Sequence, residues 1–176
     1  MKNIIAFAGS NSKTSINKLL VEYASSLVSH VNTKILDLND FELPLYGVDY
    51  QNTHGIPDNA HKFLEHLTTS DGIILSLAEH NGAYSSVFKN LFDWMSIING
   101  KLWSNKPMLL MATSPGARGG ATVLEVAKGR FPHMGGNIIT DFSCPSFQDN
   151  FSEGRITDPE LDNVLKAKVK LFQEAL

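Results

Sequence analysis

The stretch LAEHNGAYSSVFKNLFDWMS, residues 77–96, runs from the end of an apolar segment into an amphipathic one. The apolar segment, residues 73–77, lacks the polar alternation of a half-exposed strand and is typical of a strand buried on both faces. Residues 84–98 have the apolar spacing of a helix that buries one side. A buried strand followed at once by such a helix predicts a unit of an α/β fold, with Glu-His-Asn-Gly at the turn.

The same alternation of strand and helix signals extends over the whole chain. Strands that alternate with helices imply right-handed crossovers and a parallel sheet covered by helices on both faces. The pattern therefore predicts an α/β fold with a five-stranded sheet. The predicted strands are residues 4–8, 34–38, 73–77, 108–112 and 137–140, and the predicted helices are about residues 15–29, 57–69, 84–98, 121–130 and 159–175.

The composition predicts one globular domain over residues 1–176. It is 43% hydrophobic and 19% charged, which allows a substantial core. A formal net charge of -3 gives no reason to expect a nucleic acid or an anionic membrane as partner. Cys144 is the single cysteine and cannot form an internal disulfide, and the apolar run 4–8 is too short for a signal-peptide core or a membrane span. We therefore predict a cytoplasmic protein.

Two stretches follow neither the strand nor the helix pattern. Residues 47–59, GVDYQNTHGIPDN, are rich in Gly, Asn, Asp and Pro, which predicts an extended loop. Such a loop could act as a lid or a subunit contact, or it could be a solvated connection. Residues 145–156 are similarly irregular, and their sequence indicates no function.

The first predicted strand leads into GSNSKTSIN, residues 9–17, where hydroxyl side chains crowd at the start of a helix. In an open parallel sheet the ligand lies at the carboxyl ends of the strands. Hydroxyl groups, free backbone N–H groups and a helix N-terminus together favour a phosphate. The glycine pattern fits neither a P-loop nor a dinucleotide-binding fingerprint. An ordinary N-cap would explain only one or two of the four hydroxyl residues, which are Ser10, Ser12, Thr14 and Ser15.

The loops after the third and fourth predicted strands also suit a ligand. Asn81 and Gly82 tolerate the positive φ of a tight turn, which leaves backbone N–H groups outside the sheet ladder. TSPGARGGA, residues 113–121, has three glycines and little side-chain bulk. If strands one, three and four are neighbours, their loops together span roughly 10 Å, about the length of a tricyclic ring.

The motifs at these loops resemble those of the NAD(P)H-dependent FMN reductase family, flavodoxin-like proteins that include quinone, azo-dye and chromate reductases. The resemblance covers residues 1–131, and the second motif is the most specific of the three. The matching residues are Gly9, Ser10, Ser15 and Asn17 in the first motif, Glu79, Asn81, Gly82, Lys89, Asn90, Asp93 and Trp94 in the second, and Ser114, Gly116, Gly119 and Gly120 in the third.

This resemblance implies a flavodoxin-like three-layer sandwich, with a five-stranded parallel sheet of order 2-1-3-4-5 and helices on both faces. It implies FMN as cofactor, NADPH or NADH as co-substrate, and transfer of two electrons to a quinone-like, azo, metal-oxyanion or free-flavin acceptor. It also implies a homodimer or homotetramer and requires no side-chain general acid. The implied cofactor-binding residues are Ser10, Ser12, Ser15, Ile16 and Asn17 around the phosphate, Ala78, Glu79, His80, Asn81 and Gly82 at the flavin ring, and Ser114, Pro115 and Gly116 at its other edge.

The sequence departs from the family motifs at several of these positions. Ser12 stands where the family has Arg, which removes a charge-assisted partner for the phosphate, and Lys13 compensates only as a point charge. His80 replaces a Tyr, Ala78 replaces a Pro, and a Ser-Ser pair at residues 85–86 replaces Pro-Gly. These departures leave open weak FMN binding and a flavin-free protein for a phosphate ligand. An electron-transfer flavodoxin that does not oxidise NAD(P)H is a further alternative, which the mild net charge and the match of the second motif disfavour.

Other residues with functional chemistry have structural interpretations. Lys89 and Asp93 are spaced to pair along the helix. Asn90 and Trp94 are expected to have a structural role or to support a subunit contact, rather than to take part in the chemistry. Arg118 could meet a phosphate of the nicotinamide nucleotide, although an exposed loop Arg is the more usual case. We further expect His61 and Glu65 on a solvated helix face, Cys144 as a small buried residue, and Phe88, Leu91 and Phe92 in the core.

Overall fold

The computed structural model describes residues 1–176. The chain forms eight strands and seven helices, with short 3-10 turns at Leu38–Asp40 and Phe131–Met134. The strands are β1 (Lys2–Gly9), β2 (Val31–Leu36), β3 (Gly72–His80), β4 (Ala83–Tyr84), β5 (Pro107–Thr113), β6 (Asn137–Cys144), β7 (Phe151–Ser152) and β8 (Arg155–Ile156). The helices are α1 (Ile16–Ser26), α2 (Val48–His54), α3 (Asp58–Thr69), α4 (Ser86–Ile98), α5 (Ala121–Arg130), α6 (Phe147–Asn150) and α7 (Pro159–Glu174).

The five long strands form a parallel sheet in the order β2-β1-β3-β5-β6. This is the predicted order 2-1-3-4-5, because β5 and β6 are the fourth and fifth strands of the sequence pattern. The strand order reverses between β1 and β3, the neighbouring strands from which the chain continues toward opposite edges of the sheet. In this class of fold the ligand binds at that reversal, at the carboxyl ends of the strands.

Alternate residues of the central strands enter two cores on opposite faces of the sheet. Ile4 and Ala6 of β1 pack with α1 and α7. Ile5 and Phe7 pack on the other face with α3, α4 and α5. This division confirms the predicted three-layer, flavodoxin-like arrangement. No helix is long and apolar enough to cross a membrane.

Three details differ from the sequence pattern. The prediction of an extended loop at residues 47–59 was wrong for Val48–His54, because these residues form α2. None of the residues of α2 is buried, so the helix lacks the apolar stripe by which a sequence indicates one. The irregular residues 145–156 contain α6 and an antiparallel β7-β8 hairpin. Helix α4 begins at Ser86 rather than residue 84, because Ser85 is its N-cap and Tyr84 belongs to β4.

Candidate functional site

The carboxyl ends of β1, β3 and β5 meet at one edge of the sheet. Gly9 at the end of β1 pairs with Leu77 of β3, and Ala78 pairs with Thr113 at the end of β5. The three loops that follow these strands are therefore neighbours, as predicted. They are the first loop (residues 10–15), the hairpin turn between β3 and β4 (residues 81–82) and the third loop (residues 114–120).

The hydroxyl groups of the first loop organise its own backbone. The Ser10 Oγ accepts a hydrogen bond from the Ser12 N–H at 3.2 Å, and the Ser12 Oγ accepts one from the Thr14 N–H at 3.3 Å. The Ser15 Oγ caps α1 by accepting from the Lys18 N–H at 3.2 Å. Each hydroxyl accepts in these contacts, so the hydrogens of the Ser10 and Ser15 hydroxyls stay available to an anion. The Ser12 Oγ also lies 3.5 Å from the Thr14 Oγ1, where either hydroxyl can be the donor.

The start of α1 presents two unpaired donors beside those hydroxyls. The backbone N–H groups of Ile16 and Asn17 donate to no other group of the protein, as the geometry of a helix N-terminus requires. Unpaired N–H groups and the helix dipole together favour an anion at this position. The residues present therefore fit a phosphate group, although without the guanidinium that Arg would supply at position 12.

The side chain of Asn17 has a different role from its backbone. It is 3% exposed, and its Oδ1 accepts from the Ser76 Oγ at 2.6 Å and from the Thr113 N–H at 3.1 Å. Its Nδ2 donates to the Thr113 carbonyl at 3.3 Å. Asn17 therefore ties α1 to β3 and β5, and only its backbone N–H faces the candidate phosphate position.

Two lysines near the first loop differ in their availability. The Lys18 Nζ lies 2.7 Å from the Asp37 Oδ2, and this hydrogen bond raises the pKa of Lys18 and lowers the pKa of Asp37. The Asn39 Nδ2 donates to the Asp37 carboxylate and to the Asn11 carbonyl, and so links the first loop to the segment after β2. Lys13 is exposed and forms no salt bridge within the chain, so it is the lysine free to approach a phosphate.

The turn between β3 and β4 is a two-residue hairpin. Asn81 has φ of 52° and Gly82 has φ of 75°, the pair of positive values that a type I′ turn requires and that Asn-Gly adopts most readily. The expected tight turn is confirmed, but Glu79 and His80 stay in the ladder, because they pair with residues of β4. The N–H groups of Asn81 and Gly82 donate to no group of the protein, so they can meet the polar edge of a ring.

The Glu79 side chain attaches this hairpin to α5. Its Oε2 accepts from the Val123 N–H at 2.9 Å, in the first turn of a helix whose N-cap, Gly120, has no side chain to offer. A carboxylate is favoured there by the helix dipole. Gly82 also lies close to α5, since a Cβ built on it would be 3.6 Å from the Thr122 Cγ2. His80 is exposed beside the turn.

Ser85 joins the hairpin region to the first loop, a role that the sequence reasoning missed. Its Oγ donates to the Gly9 carbonyl at 2.7 Å and accepts from the Phe88 N–H at 3.2 Å. A Ser directly before an apolar helical run is the signal for such an N-cap. The Ser that replaces the family Pro therefore starts α4 and holds it against the end of β1.

The third loop packs closely on the end of β6. The Phe147 N–H donates to the Ser114 carbonyl at 3.1 Å, and the Ser146 N–H donates to the Gly116 carbonyl at 3.0 Å. Gly119 has φ of 57°, and a Cβ there would lie 2.4 Å from the Ser143 Oγ, so only glycine fits. Ser114 is partly exposed, and Pro115 and Gly116 are exposed on the outer side of the loop.

Residues outside the three loops have structural roles. The Asn90 and Trp94 side chains bind residues 43–46 of their own chain, which confirms the expected structural role. Lys89 and Asp93 pair at 2.7 Å as predicted. The expectations for the remaining residues are confirmed: Phe88, Leu91, Phe92 and Cys144 are buried, and His61 and Glu65 are exposed. Burial raises the pKa of the Cys144 thiol, which disfavours a reactive thiolate.

Arg118 is exposed in the third loop, and its Nη2 donates to the Thr122 Oγ1 at 2.7 Å. A Cβ built on Gly82 would contact the Thr122 side chain, so the guanidinium is anchored near the hairpin turn.

Comparisons with known proteins agree with this arrangement. A sequence model of the family described as NADPH-dependent FMN reductase matches residues 2–149. A quinone reductase from Pseudomonas putida is 31% identical over 175 residues, which cover 98% of this chain and 89% of that protein. A quinone reductase from Escherichia coli is 31% identical over 80 residues, and that match covers 43% of its length. Among solved structures, the flavoenzyme NAD(P)H:(acceptor) oxidoreductase FerB from Paracoccus denitrificans superimposes with a TM-score of 0.78 at 24% identity, over 99% of this chain and 97% of that one.

Proposed function

This chain belongs to the NADPH-dependent FMN reductase family, and on that premise we propose that it binds FMN across the ends of β1, β3 and β5. When bound, FMN would supply the hydride-accepting, two-electron chemistry that links NADPH or NADH to a small-molecule acceptor. The observation that carries the proposal is the set of unpaired backbone N–H groups at two neighbouring loops, Ile16 and Asn17 at one and Asn81 and Gly82 at the other.

The start of α1 holds the FMN phosphate in this proposal. The Ile16 and Asn17 N–H groups donate to phosphate oxygens, and the hydroxyls of Ser10, Ser12 and Ser15 donate from the surrounding loop. Lys13 adds a screened point charge from the exposed side. A phosphate held by neutral donors is bound more weakly than one held by a bidentate guanidinium.

The hairpin and the third loop hold the flavin ring. The Asn81 and Gly82 N–H groups would hold the ring as hydrogen-bond donors together with the neighbouring Ala78 and His80, and Ser114, Pro115 and Gly116 would hold it from the third loop. The Asn81 and Gly82 N–H groups would stabilise the negative charge of the reduced ring. Glu79 is a positioning residue, since its carboxylate holds the hairpin on α5. The reaction therefore requires no side-chain general acid from this chain.

The acceptor class, quinone-like, azo, metal-oxyanion or free flavin, is part of the proposal. The relatives named quinone reductase support the first of these. We place the protein in the cytoplasm as one domain over residues 1–176, and as a homodimer or homotetramer.

The test is an FMN titration of the purified apoprotein, followed by fluorescence quenching. NADPH or NADH is then added to the FMN complex without oxygen, and the flavin absorbance at about 450 nm is recorded. Saturable quenching and bleaching by the nicotinamide support the reductase. FMN binding without bleaching indicates an electron-transfer flavodoxin. Absence of FMN binding contradicts the proposal and favours a flavin-free protein for a phosphate ligand, consistent with Ser12 and His80.

A further inference from the structure

Arg118 is the one arginine of the chain whose side chain is anchored. Its Nη2 donates to the Thr122 Oγ1 at 2.7 Å. All three arginines are exposed, but the side chains of Arg130 and Arg155 form no hydrogen bond or salt bridge within the chain. An exposed arginine ordinarily keeps its rotamer freedom, which a ligand must restrict at an entropic cost. At Arg118 part of that restriction is present before a ligand binds.

The backbone around Arg118 is also held in place by the third loop. The Arg118 carbonyl accepts from the Ala121 N–H at 3.0 Å, and the Gly116 carbonyl accepts from the Gly119 N–H at 3.1 Å. The Ser143 Oγ of β6 donates to the Gly119 carbonyl at 2.9 Å. The loop is therefore fixed on both sides of Arg118, and the guanidinium occupies a position that the fold defines.

The guanidinium carries a charge that no carboxylate of the chain compensates directly. Arg118 forms no salt bridge. Glu79, the acidic residue at the start of α5, accepts instead from the Val123 N–H, where the helix dipole favours its charge. Thr122 occupies one N–H of the guanidinium, and the remaining N–H groups can form two parallel hydrogen bonds to a phosphate. The side chain therefore suits a ligand that carries phosphate.

Arg118 is anchored beside the turn to which the proposed function assigns the flavin ring. A Cβ built on Gly82 would lie 3.6 Å from the Thr122 Cγ2, and the hydroxyl of the same Thr122 side chain holds the guanidinium. The FMN phosphate is assigned to the start of α1, so it is not the partner of Arg118. The other phosphate-bearing molecule that the reaction requires is NADH or NADPH, whose nicotinamide must contact the ring for hydride transfer.

The phosphate groups of these donors lie at different distances from the nicotinamide. In both donors a single ribose separates the diphosphate from the nicotinamide, whereas the 2′-phosphate of NADPH lies beyond the diphosphate, on the adenosine. A cation beside the ring therefore meets the diphosphate. We propose that Arg118 binds the diphosphate of the hydride donor and so does not distinguish NADH from NADPH. This inference rests on the proposed function.

Donors that differ in phosphate content test this assignment. NADPH, NADH and dihydronicotinamide riboside share the reacting ring, and only the riboside has no phosphate. The rate at which each donor bleaches the FMN complex without oxygen is measured against donor concentration, which gives an apparent Kd. We expect Arg118→Gln to raise the apparent Kd about tenfold for NADH and for NADPH, the scale of a lost hydrogen bond to a charged group. The apparent Kd for the riboside should not change.

Two matched variants separate the guanidinium at position 118 from the loss of any arginine and from the loss of charge. Arg155→Gln makes the same change at an exposed arginine of the β7-β8 hairpin and should keep the wild-type apparent Kd for all three donors. Arg118→Lys keeps the charge but loses the planar pair of N–H donors. It should therefore raise the apparent Kd for NADH, but by less than Arg118→Gln does.

An equilibrium measurement does not depend on hydride transfer. NAD⁺, which donates no hydride, is titrated into the FMN complex, and its binding is followed by the change in flavin absorbance. Its Kd should also rise about tenfold in Arg118→Gln. The Kd for FMN, measured by quenching with the apoprotein of the same variant, should equal that of the wild type, because Arg118 is not assigned to FMN.

The outcomes distinguish failure of this inference from failure of the proposed function. If the wild type does not bind FMN, or if neither dinucleotide bleaches it, the proposed function fails and this inference fails with it. If bleaching is normal and Arg118→Gln keeps the wild-type apparent Kd for NADH, Arg118 does not bind the donor. A loss confined to NADPH would assign Arg118 to the 2′-phosphate, and an equal loss for the riboside would exclude a phosphate contact. Either result overturns the assignment to the diphosphate.

Discussion

The first loop and the β3-β4 hairpin both present backbone N–H groups at the ends of neighbouring strands, but they are anchored differently. The first loop uses a helix N-terminus, held by the buried and uncharged Asn17 side chain through three hydrogen bonds. The hairpin uses two positive φ values, held by the partly exposed Glu79 carboxylate through one hydrogen bond. In each motif, the side chain of one matching residue supports the loop, while unpaired backbone N–H groups at or near that residue are left for the ligand.

This difference predicts unequal effects of removing the two anchors. A buried amide that satisfies three groups leaves them unpaired when it is removed, whereas a partly exposed cap can be replaced by water. The following variants test that contrast, beginning with the largest expected effect.

Asn17→Ala should lower the free energy of unfolding by about 3 kcal/mol, because the Ser76 hydroxyl and the Thr113 backbone lose buried partners. Urea denaturation measures the change. Asn52→Ala, at an exposed position on α2, is the matched control and should change stability by less than about 0.5 kcal/mol. Equal stabilities of the two variants would show that Asn17 is not an anchor.

Gly82→Val should destabilise the protein by about 1–2 kcal/mol, the cost of a Cβ at positive φ. It should also weaken FMN binding about tenfold, because the valine distorts the turn that presents two N–H groups. Gly154→Val is the control, since Gly154 has φ of 76° and open space around it in the two-residue turn between β7 and β8, far in sequence from the three loops. Flavin quenching that gives both variants the same affinity would contradict the placement of the ring.

Glu79→Ala should cost about 1 kcal/mol through loss of the cap on α5. Glu79→Gln keeps an acceptor oxygen and removes the charge, so it should retain part of that stability. Thermal unfolding of the two variants separates the hydrogen bond from the charge. A loss for Glu79→Ala as large as that for Asn17→Ala would remove the distinction between the two anchors.

Tyr84, paired with Glu79 in the hairpin, should give the smallest effect. Its buried hydroxyl has no hydrogen-bond partner, so Tyr84→Phe should leave stability at neutral pH unchanged or raise it by up to about 1 kcal/mol. Burial raises the pKa of Tyr84 from 10.0 to about 12. The unfolded chain therefore ionises first, and stability is lost as the pH rises from about 10 to about 12.

Unfolding measured across that pH range should show a smaller loss in Tyr84→Phe than in the wild type. Tyr23, whose pKa is also raised to about 12 by burial and by its hydrogen bond to Asp162, should account for part of the remaining loss. An identical pH dependence in the wild type and Tyr84→Phe would mean that the Tyr84 hydroxyl reaches solvent.

Much of the fold could be predicted because its central strands β1, β3 and β5 are buried on both faces and its main helices each bury one side. The five long strands and five of the helices lie close to their predicted positions. Helix α2 could not be predicted, since it buries no residue and only the glycines at residues 47 and 55 mark its ends. Strand β4 was missed because its two residues adjoin the helical pattern of α4.

The candidate site was predictable at the level of loops rather than of side chains. A motif match does not distinguish a residue that binds a ligand from one that supports the loop. Asn17 and Glu79 support their loops through contacts 44 or more residues away in sequence. The same holds for Asn90 and Trp94, because both donate to the carbonyl of Pro44, which follows β2 and lies 46 and 50 residues away in sequence. Such partners are set by the tertiary fold and leave no local signal.

The hydrogen bond from the Thr113 amide to Asn17 has a consequence for hydrogen exchange. This amide belongs to the last residue of β5, where a strand would ordinarily fray and exchange quickly with solvent. With its acceptor on α1, it exchanges only when that helix separates from the sheet. Slow exchange at Thr113 in the apoprotein, together with fast exchange at Ile16 and Asn81, would mean that α1 is already packed on β3 and β5 before any cofactor binds. Binding then protects the exposed amides without the entropic cost of ordering the strands beneath them.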